Sequence, residues 1–225
     1  MVSLQEAALI EAVVFDLDGV LIDSEPVWAQ VREEVVVAHG GRWSPDAQPQ
    51  MMGMSTAEWS AYMVEDLGVR LSPAEVARVV IEAMARRYRE HLPLLPGALD
   101  SVRLMGTRFA LGLASSAPRS LIDAVLDASG LRSSFAAVRS TEEEARGKPA
   151  PDVYVTVARL LSVPAASCAA VEDSSNGLRS AAAAGFAVIA VPRAEYPAAP
   201  DALALARLEL PSLTELTVAA VTALG

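Results

Sequence analysis

Five short apolar runs punctuate the chain, at Ala12–Phe15, Phe109–Ala114, Phe135–Val138, Cys168–Val171 and Ala187–Val191. Each is continuously apolar rather than alternating, the pattern of strands covered on both faces. Helical periodicity lies between most of them. "APRSLIDAVLDASG" follows the second run, with Pro118 suited to a first turn and Gly130 to a C-terminal stop. "APDVYVTVARLLSV" precedes the fourth run, and "SNGLRSAAAAG" follows it and ends at Gly185. Strands alternating with helices predict an α/β fold with a doubly wound parallel sheet and right-handed crossovers.

The stretch between Phe15 and Phe109 has little strand character. It carries three helical patterns: "SEPVWAQVREEVVVAHGG", "STAEWSAYMVEDLG" and "SPAEVARVVIEAMARRYREHL". Ser55 with Glu58, and Ser72 with Glu75, have the spacing of capping boxes. Asp23 and Ser24 are read as caps of the first helix. An all-helical domain, residues 21–96, is therefore expected inside a core built from residues 1–20 and 97–225. Pro93 and Pro96 punctuate its return, and hinges are expected near Leu21–Ser24 and Leu92–Pro96.

Composition narrows the function classes. With 225 residues, 52% hydrophobic, the chain can bury a sizeable core. A formal net charge of −10 argues against nucleic acid, whose phosphates demand clustered Lys and Arg. No membrane partner is expected, because no apolar run is long enough to span a bilayer; "AAAAGFAVIAV" is broken by Gly185. The start, "MVSLQEAALIEA", lacks the basic opening of a signal peptide. One cysteine, Cys168, permits no intrachain disulfide and suits a reducing cytoplasm. Nothing in the sequence fixes an oligomeric state.

One lysine, Lys148, stands among 18 basic residues, the rest arginine. A site that keeps lysine in so Arg-biased a chain suggests a need for a compact ammonium. Ligands in doubly wound sheets sit beyond the carboxyl ends of strands. Four polar groups are expected there. Asp16 and Asp18 follow the first strand, Ser115 and Ser116 the second, Lys148 precedes a helix, and Glu172 and Asp173 follow the fourth. Two carboxylates one residue apart, next to a buried strand, repel each other and lose hydration. A bound cation would offset that cost.

"FDLDGVLIDSE", "LASS", "GKPAPD" and "VEDSSNG" together resemble the four motifs of the haloacid dehalogenase superfamily. The resemblance spans nearly the whole chain and is strongest to the branch with a helical cap after the first motif, which includes β-phosphoglucomutase-like and phosphoglycolate phosphatase-like enzymes. It implies a Rossmann-like core with an inserted cap, and a Mg²⁺-dependent phosphatase acting on a small phosphorylated metabolite, phosphosugar-like. In that pattern Asp16 is the nucleophile and Asp18 the general acid and base. Ser115, or Ser116 if the register shifts, meets the phosphoryl group, and Lys148 holds charge. Asp16, the Asp18 carbonyl and Asp173 bind Mg²⁺, with Glu172 a direct or water-mediated ligand. The cap's specificity loop falls at "MMGMS", so Met52, Gly53 and Ser55 are expected substrate contacts, with ordinary packing of the methionines as the alternative. Met52 and Thr56 stand where mutase-like relatives carry Lys and Arg, which disfavours a phosphosugar mutase. A Schiff-base phosphonatase is disfavoured because the only lysine is in the core. A non-catalytic metabolite-binding protein is the remaining alternative.

Overall fold

The structure, a computed structural model, describes residues 9–225. Most of the N-terminal segment weighed above as a signal peptide lies outside the described residues. Six strands form one parallel sheet: β1 (Ala12–Phe15), β2 (Ala110–Ser115), β3 (Ala137–Ser140), β4 (Cys168–Glu172), β5 (Ala187–Ala190) and β6 (Leu208–Glu209). Their spatial order is β3-β2-β1-β4-β5-β6. The order in which successive strands are added reverses at β1, which pairs with β2 on one side and β4 on the other. Ligand crevices form at such a switch point.

The continuous apolar runs follow from burial on two faces. Val13 and Phe15 pack into one cluster and Ala12 and Val14 into another. The first cluster takes in α5 (Ala98–Gly106) and α6 (Arg119–Ser129), through Val102, Met105, Leu121 and Ile122. The second takes in α7 (Asp152–Leu161) and α8 (Ser175–Ala183), through Val153, Tyr154, Val157 and Leu178. Two short helices, α9 (Pro200–Leu203) and α10 (Val218–Thr222), complete the C-terminal part.

Between β1 and α5 the chain forms α1 (Glu25–Ala38), α2 (Ala47–Met51), α3 (Thr56–Glu65) and α4 (Pro73–Glu90). Both capping boxes form as their spacing implies, at Ser55–Glu58 and Ser72–Glu75. Helix α4 packs against α1 and α3 and also lies along α6. The two connections to the sheet run side by side. Asp23 N–H donates to Pro93 O (2.8 Å) and Leu95 N–H to Leu21 O (3.0 Å).

Some expectations need correction. Ser24 is the N-cap of α1, but its side chain makes no capping hydrogen bond. Asp23 pairs with Arg193 instead, at 3.1 Å. The third strand begins at Ala137, not Phe135, because the chain first completes a 3-10 turn at Arg132–Ser134, which Phe135 caps. Met51 ends the short helix α2 and packs in the core cluster, the alternative expected for the methionines, while also lining a cavity.

Candidate active site

The parallel pairing of β1 with β4 sets Asp16 beside Glu172 at the carboxyl edge of the sheet. The Asp16 N–H donates to Val171 O at 3.0 Å, continuing the ladder one step past β1. Lys148 enters from the loop before α7. Its ammonium donates to Asp16 Oδ1 (2.9 Å), Glu172 Oε1 (2.6 Å) and Ala114 O (3.0 Å). An ammonium has three N–H donors, and all three are engaged. Tyr154 Oη also donates to Glu172 Oε1, at 2.7 Å. The other Glu172 oxygen accepts from the Asp173 N–H (3.2 Å) and the Ser174 hydroxyl (3.4 Å). Glu172 is fully buried and satisfied on both oxygens.

Asp18 follows after one residue, where Gly19 turns the chain at φ +78°. The Ser115 hydroxyl donates to Asp18 Oδ2 at 3.3 Å and accepts from the Ala117 N–H at 3.0 Å. Gly19 serves a second purpose. A Cβ there would lie 1.9 Å from Asp173 Oδ2, so only glycine lets these two loops meet. Gly177 similarly yields space to Glu172, whose carboxylate would lie 2.0 Å from a Cβ.

The electrostatics is dominated by burial. Burial pushes the Asp16 carboxyl up to about 7, Glu172 adds to the rise, and Lys148 opposes it. Burial also raises Asp18, against the hydrogen bond from the Ser115 hydroxyl and the charge of Lys148. Asp173 is held well above the usual carboxylate range by burial and then by Glu172. Burial pulls Lys148 down, but Asp16 and Glu172 outweigh it and keep the ammonium protonated above its ordinary range. Were all these acids ionised, they would leave an excess of buried negative charge around one cation, which is why they hold their protons so firmly.

A divalent metal fits that excess. Asp16, Glu172 and Asp173 each offer a carboxylate oxygen, all within 4.8 Å of one another. Asp173 Oδ1 is buried without any hydrogen-bond partner. An unpaired buried carboxylate oxygen is costly, and a hard cation is the partner that all-oxygen sets of this kind suit.

The cluster opens into a cavity of about 730 Å³. Asp16, Asp18, Ser116, Lys148 and Asp173 line it from the core, and Met52, Gly53 and Met54 line it from the insertion. Ser115 is fully buried behind this wall and reaches it through Asp18. Ser55 is not among the lining residues; its hydroxyl is committed to the Glu58 capping box. Across the cleft, Thr56 Oγ1 donates to Glu142 Oε1 at 2.6 Å, tying the insertion to the core.

Sequence reasoning missed a second polar group in the cavity wall. Arg32 on α1 is only 5% exposed, and its guanidinium lies 4.6 Å from the Trp28 ring centroid and 5.2 Å from that of Trp59. It donates through Nη1 to Gln48 Oε1 (3.1 Å), and Gln48 Nε2 donates to Glu25 Oε2 (2.7 Å). Nε of Arg32 is buried with no partner. The signal was present: Trp28, Val31, Arg32, Val35 and Val36 form the buried stripe of α1, and one member of that stripe is a cation.

Comparison with known proteins finds relatives along nearly the whole chain. Residues 10–185 match the haloacid dehalogenase-like hydrolases. Hexitol phosphatase B of Escherichia coli K12 is 38% identical over 214 residues, covering 92% of this chain and 94% of that protein. The crystal structure of CbbY from Rhodobacter sphaeroides, in complex with phosphate, superposes with a TM-score of 0.84 at 26% identity, covering 95% of this chain and 99% of that one. A β-phosphoglucomutase from Clostridium difficile shares the fold, with a TM-score of 0.75 at 21% identity over 96% of this chain and 97% of that one.

Proposed function

Since the chain belongs to the haloacid dehalogenase-like hydrolase family, we propose that it is a Mg²⁺-dependent phosphatase that hydrolyses a small phosphosugar-like monoester through an aspartyl-phosphate on Asp16. The observation that carries this reading is the Asp16–Lys148–Glu172–Asp173 cluster opening into a cavity that also receives Asp18. The similarity to a hexitol phosphatase supports a polyol or sugar ester as the substrate class.

Asp16, Asp173 and the Asp18 carbonyl would hold Mg²⁺, with Glu172 fixing Lys148 and shaping the pocket. When bound, the cation supplies charge neutralisation between the carboxylate and the phosphate dianion. Asp16 attacks phosphorus, and the bond from phosphorus to the leaving oxygen breaks. Asp18 carries a proton to that oxygen; its raised affinity for protons suits an acid. Water then attacks the phosphorus of the aspartyl-phosphate, Asp18 takes its proton, and the bond to Asp16 breaks. Lys148 stays charged throughout and balances the phosphoryl oxygens. Ser115 orients Asp18, while Ser116, Met52 and Gly53 meet the substrate from opposite walls.

A cytoplasmic location is part of this reading, resting on the lone, buried free thiol of Cys168. Among the described residues no helix is long and apolar enough to cross a membrane. The test is phosphate release from p-nitrophenyl phosphate and sorbitol 6-phosphate, with Mg²⁺ and with a chelator. Metal-dependent release from both is expected. Activity indifferent to the chelator would overturn the reading. Conversion of β-glucose 1-phosphate to glucose 6-phosphate, given a bisphosphate primer, would replace it with a mutase.

A further inference from the structure

Resting on the phosphatase reading, we infer that Arg32 and Glu25, bridged by Gln48, form a hydroxyl-reading subsite in the cavity wall, which selects leaving groups carrying vicinal hydroxyls. All three belong to the helical insertion, opposite the acid–lysine cluster.

Arg32 and Glu25 line the cavity. The indoles of Trp28 and Trp59 lie beside the guanidinium and pack edge-to-face on each other at 6.0 Å, so the surroundings of Arg32 are rigid. Only one guanidinium hydrogen bond to the protein is made, to Gln48, while Nε stays buried and unpartnered. A planar fork of five N–H donors with one engaged is an incomplete recognition element. Glu25 accepts from Gln48 and contributes the complementary acceptor. Donors and acceptors side by side match a diol, in which each hydroxyl both gives and takes a hydrogen bond.

Charge argues against a second phosphate here. The other arginine lining the cavity, Arg193 of the core, is already paired with Asp23 (3.1 Å) and lies 3.7 Å from Glu195. Arg32 has Glu25 as a near neighbour through Gln48. The wall thus offers no excess positive charge to a dianion, but it offers directional bonds to neutral hydroxyls. A leaving group without hydroxyls would leave these buried groups unpaired, which is the stronger route to selectivity.

The experiment compares kcat/KM for sorbitol 6-phosphate, p-nitrophenyl phosphate and fructose 1,6-bisphosphate. Wild type should prefer sorbitol 6-phosphate. Arg32→Met should lower the sorbitol-to-nitrophenyl ratio about 10- to 100-fold, and Arg32→Lys, which lacks the fork, should restore little of it. Gln48→Leu, at a half-buried position that folding tolerates better, should lower the same ratio several-fold. Ratios unchanged in Arg32→Met and Gln48→Leu would overturn the subsite alone; if Arg32→Met does not fold, an unchanged ratio in Gln48→Leu does so by itself. A wild-type preference for the bisphosphate that Arg32→Met abolishes would replace it with an anion site. Failure of wild type on all three esters would refute the phosphatase reading and this inference with it.

Discussion

The two polar clusters that face each other across the cleft are built on opposite plans. In the core, Lys148 spends every donor on Asp16, Glu172 and Ala114 O, and Glu172 is satisfied on both oxygens. In the insertion, Arg32 makes one hydrogen bond and leaves Nε buried and unpaired. The core cluster hangs from strand ends whose register is fixed by ladders on both sides. The other hangs from two helices and two tryptophans. The contrast separates two tasks. Phosphoryl chemistry is the same for every ester and rewards a prearranged field. Leaving-group selection rewards unsatisfied donors that only the right ligand completes.

The largest effect that would sharpen this division is Asp16→Asn. A neutral amide cannot attack phosphorus, so steady-state turnover should fall by about four orders of magnitude or more, while discrimination among ligands in binding assays persists. Lys148→Met comes next. It strands two buried carboxylates and should cost about 3–5 kcal/mol of stability in metal-free protein by denaturant unfolding. It should also cost about 10²–10³ in kcat. Loss of activity at unchanged stability would show that the ion pairs are not structural. Gly19→Ala should act through the loop contact with Asp173, raising the Mg²⁺ concentration for half-maximal activity about 10- to 100-fold. An unaltered Mg²⁺ requirement would break the argument that Gly19 and Asp173 must touch.

Smaller effects concern closure and pH. Thr56→Val removes the hydrogen bond to Glu142, which is exposed and should contribute about 0.5–1.5 kcal/mol to cap docking. KM should rise a few-fold for all esters alike, without changing the preference among them. The pH prediction follows from Asp16. Its carboxyl rises from 3.8 to about 7 on folding, so between those values the folded state binds a proton that the unfolded state has lost. This group's contribution to stability therefore falls as pH rises from about 4 to about 7, and is flat above that. Thermal melts of the metal-free protein should show this slope, and saturating Mg²⁺ should flatten it.

Much of the core was legible because its physics is local. Apolar runs declared the buried strands, and Asp16, Asp18, Glu172 and Asp173 declared themselves by sitting where β1 and β4 end. Lys148 was visible as the chain's only lysine. The cap interior was less legible. Arg32 looked like any charged helical residue until its place in the buried stripe of α1 was counted. Its hydrogen-bond partner, Gln48, comes from α2, which no periodicity of α1 announces, although Glu25 lies two turns before Arg32 on the same face of α1. Ser55 suits either a cap or a ligand contact by sequence, and the capping box claims it. The two-residue strand β6 carries too short a pattern to read.

The most direct test traps the covalent step. Wild-type enzyme mixed with substrate and Mg²⁺, quenched in acid and reduced with borohydride, should carry homoserine at position 16 when its peptides are sequenced by mass spectrometry, and at no other aspartate. Homoserine at position 18 or 173, or none at all under conditions of active turnover, would contradict the account.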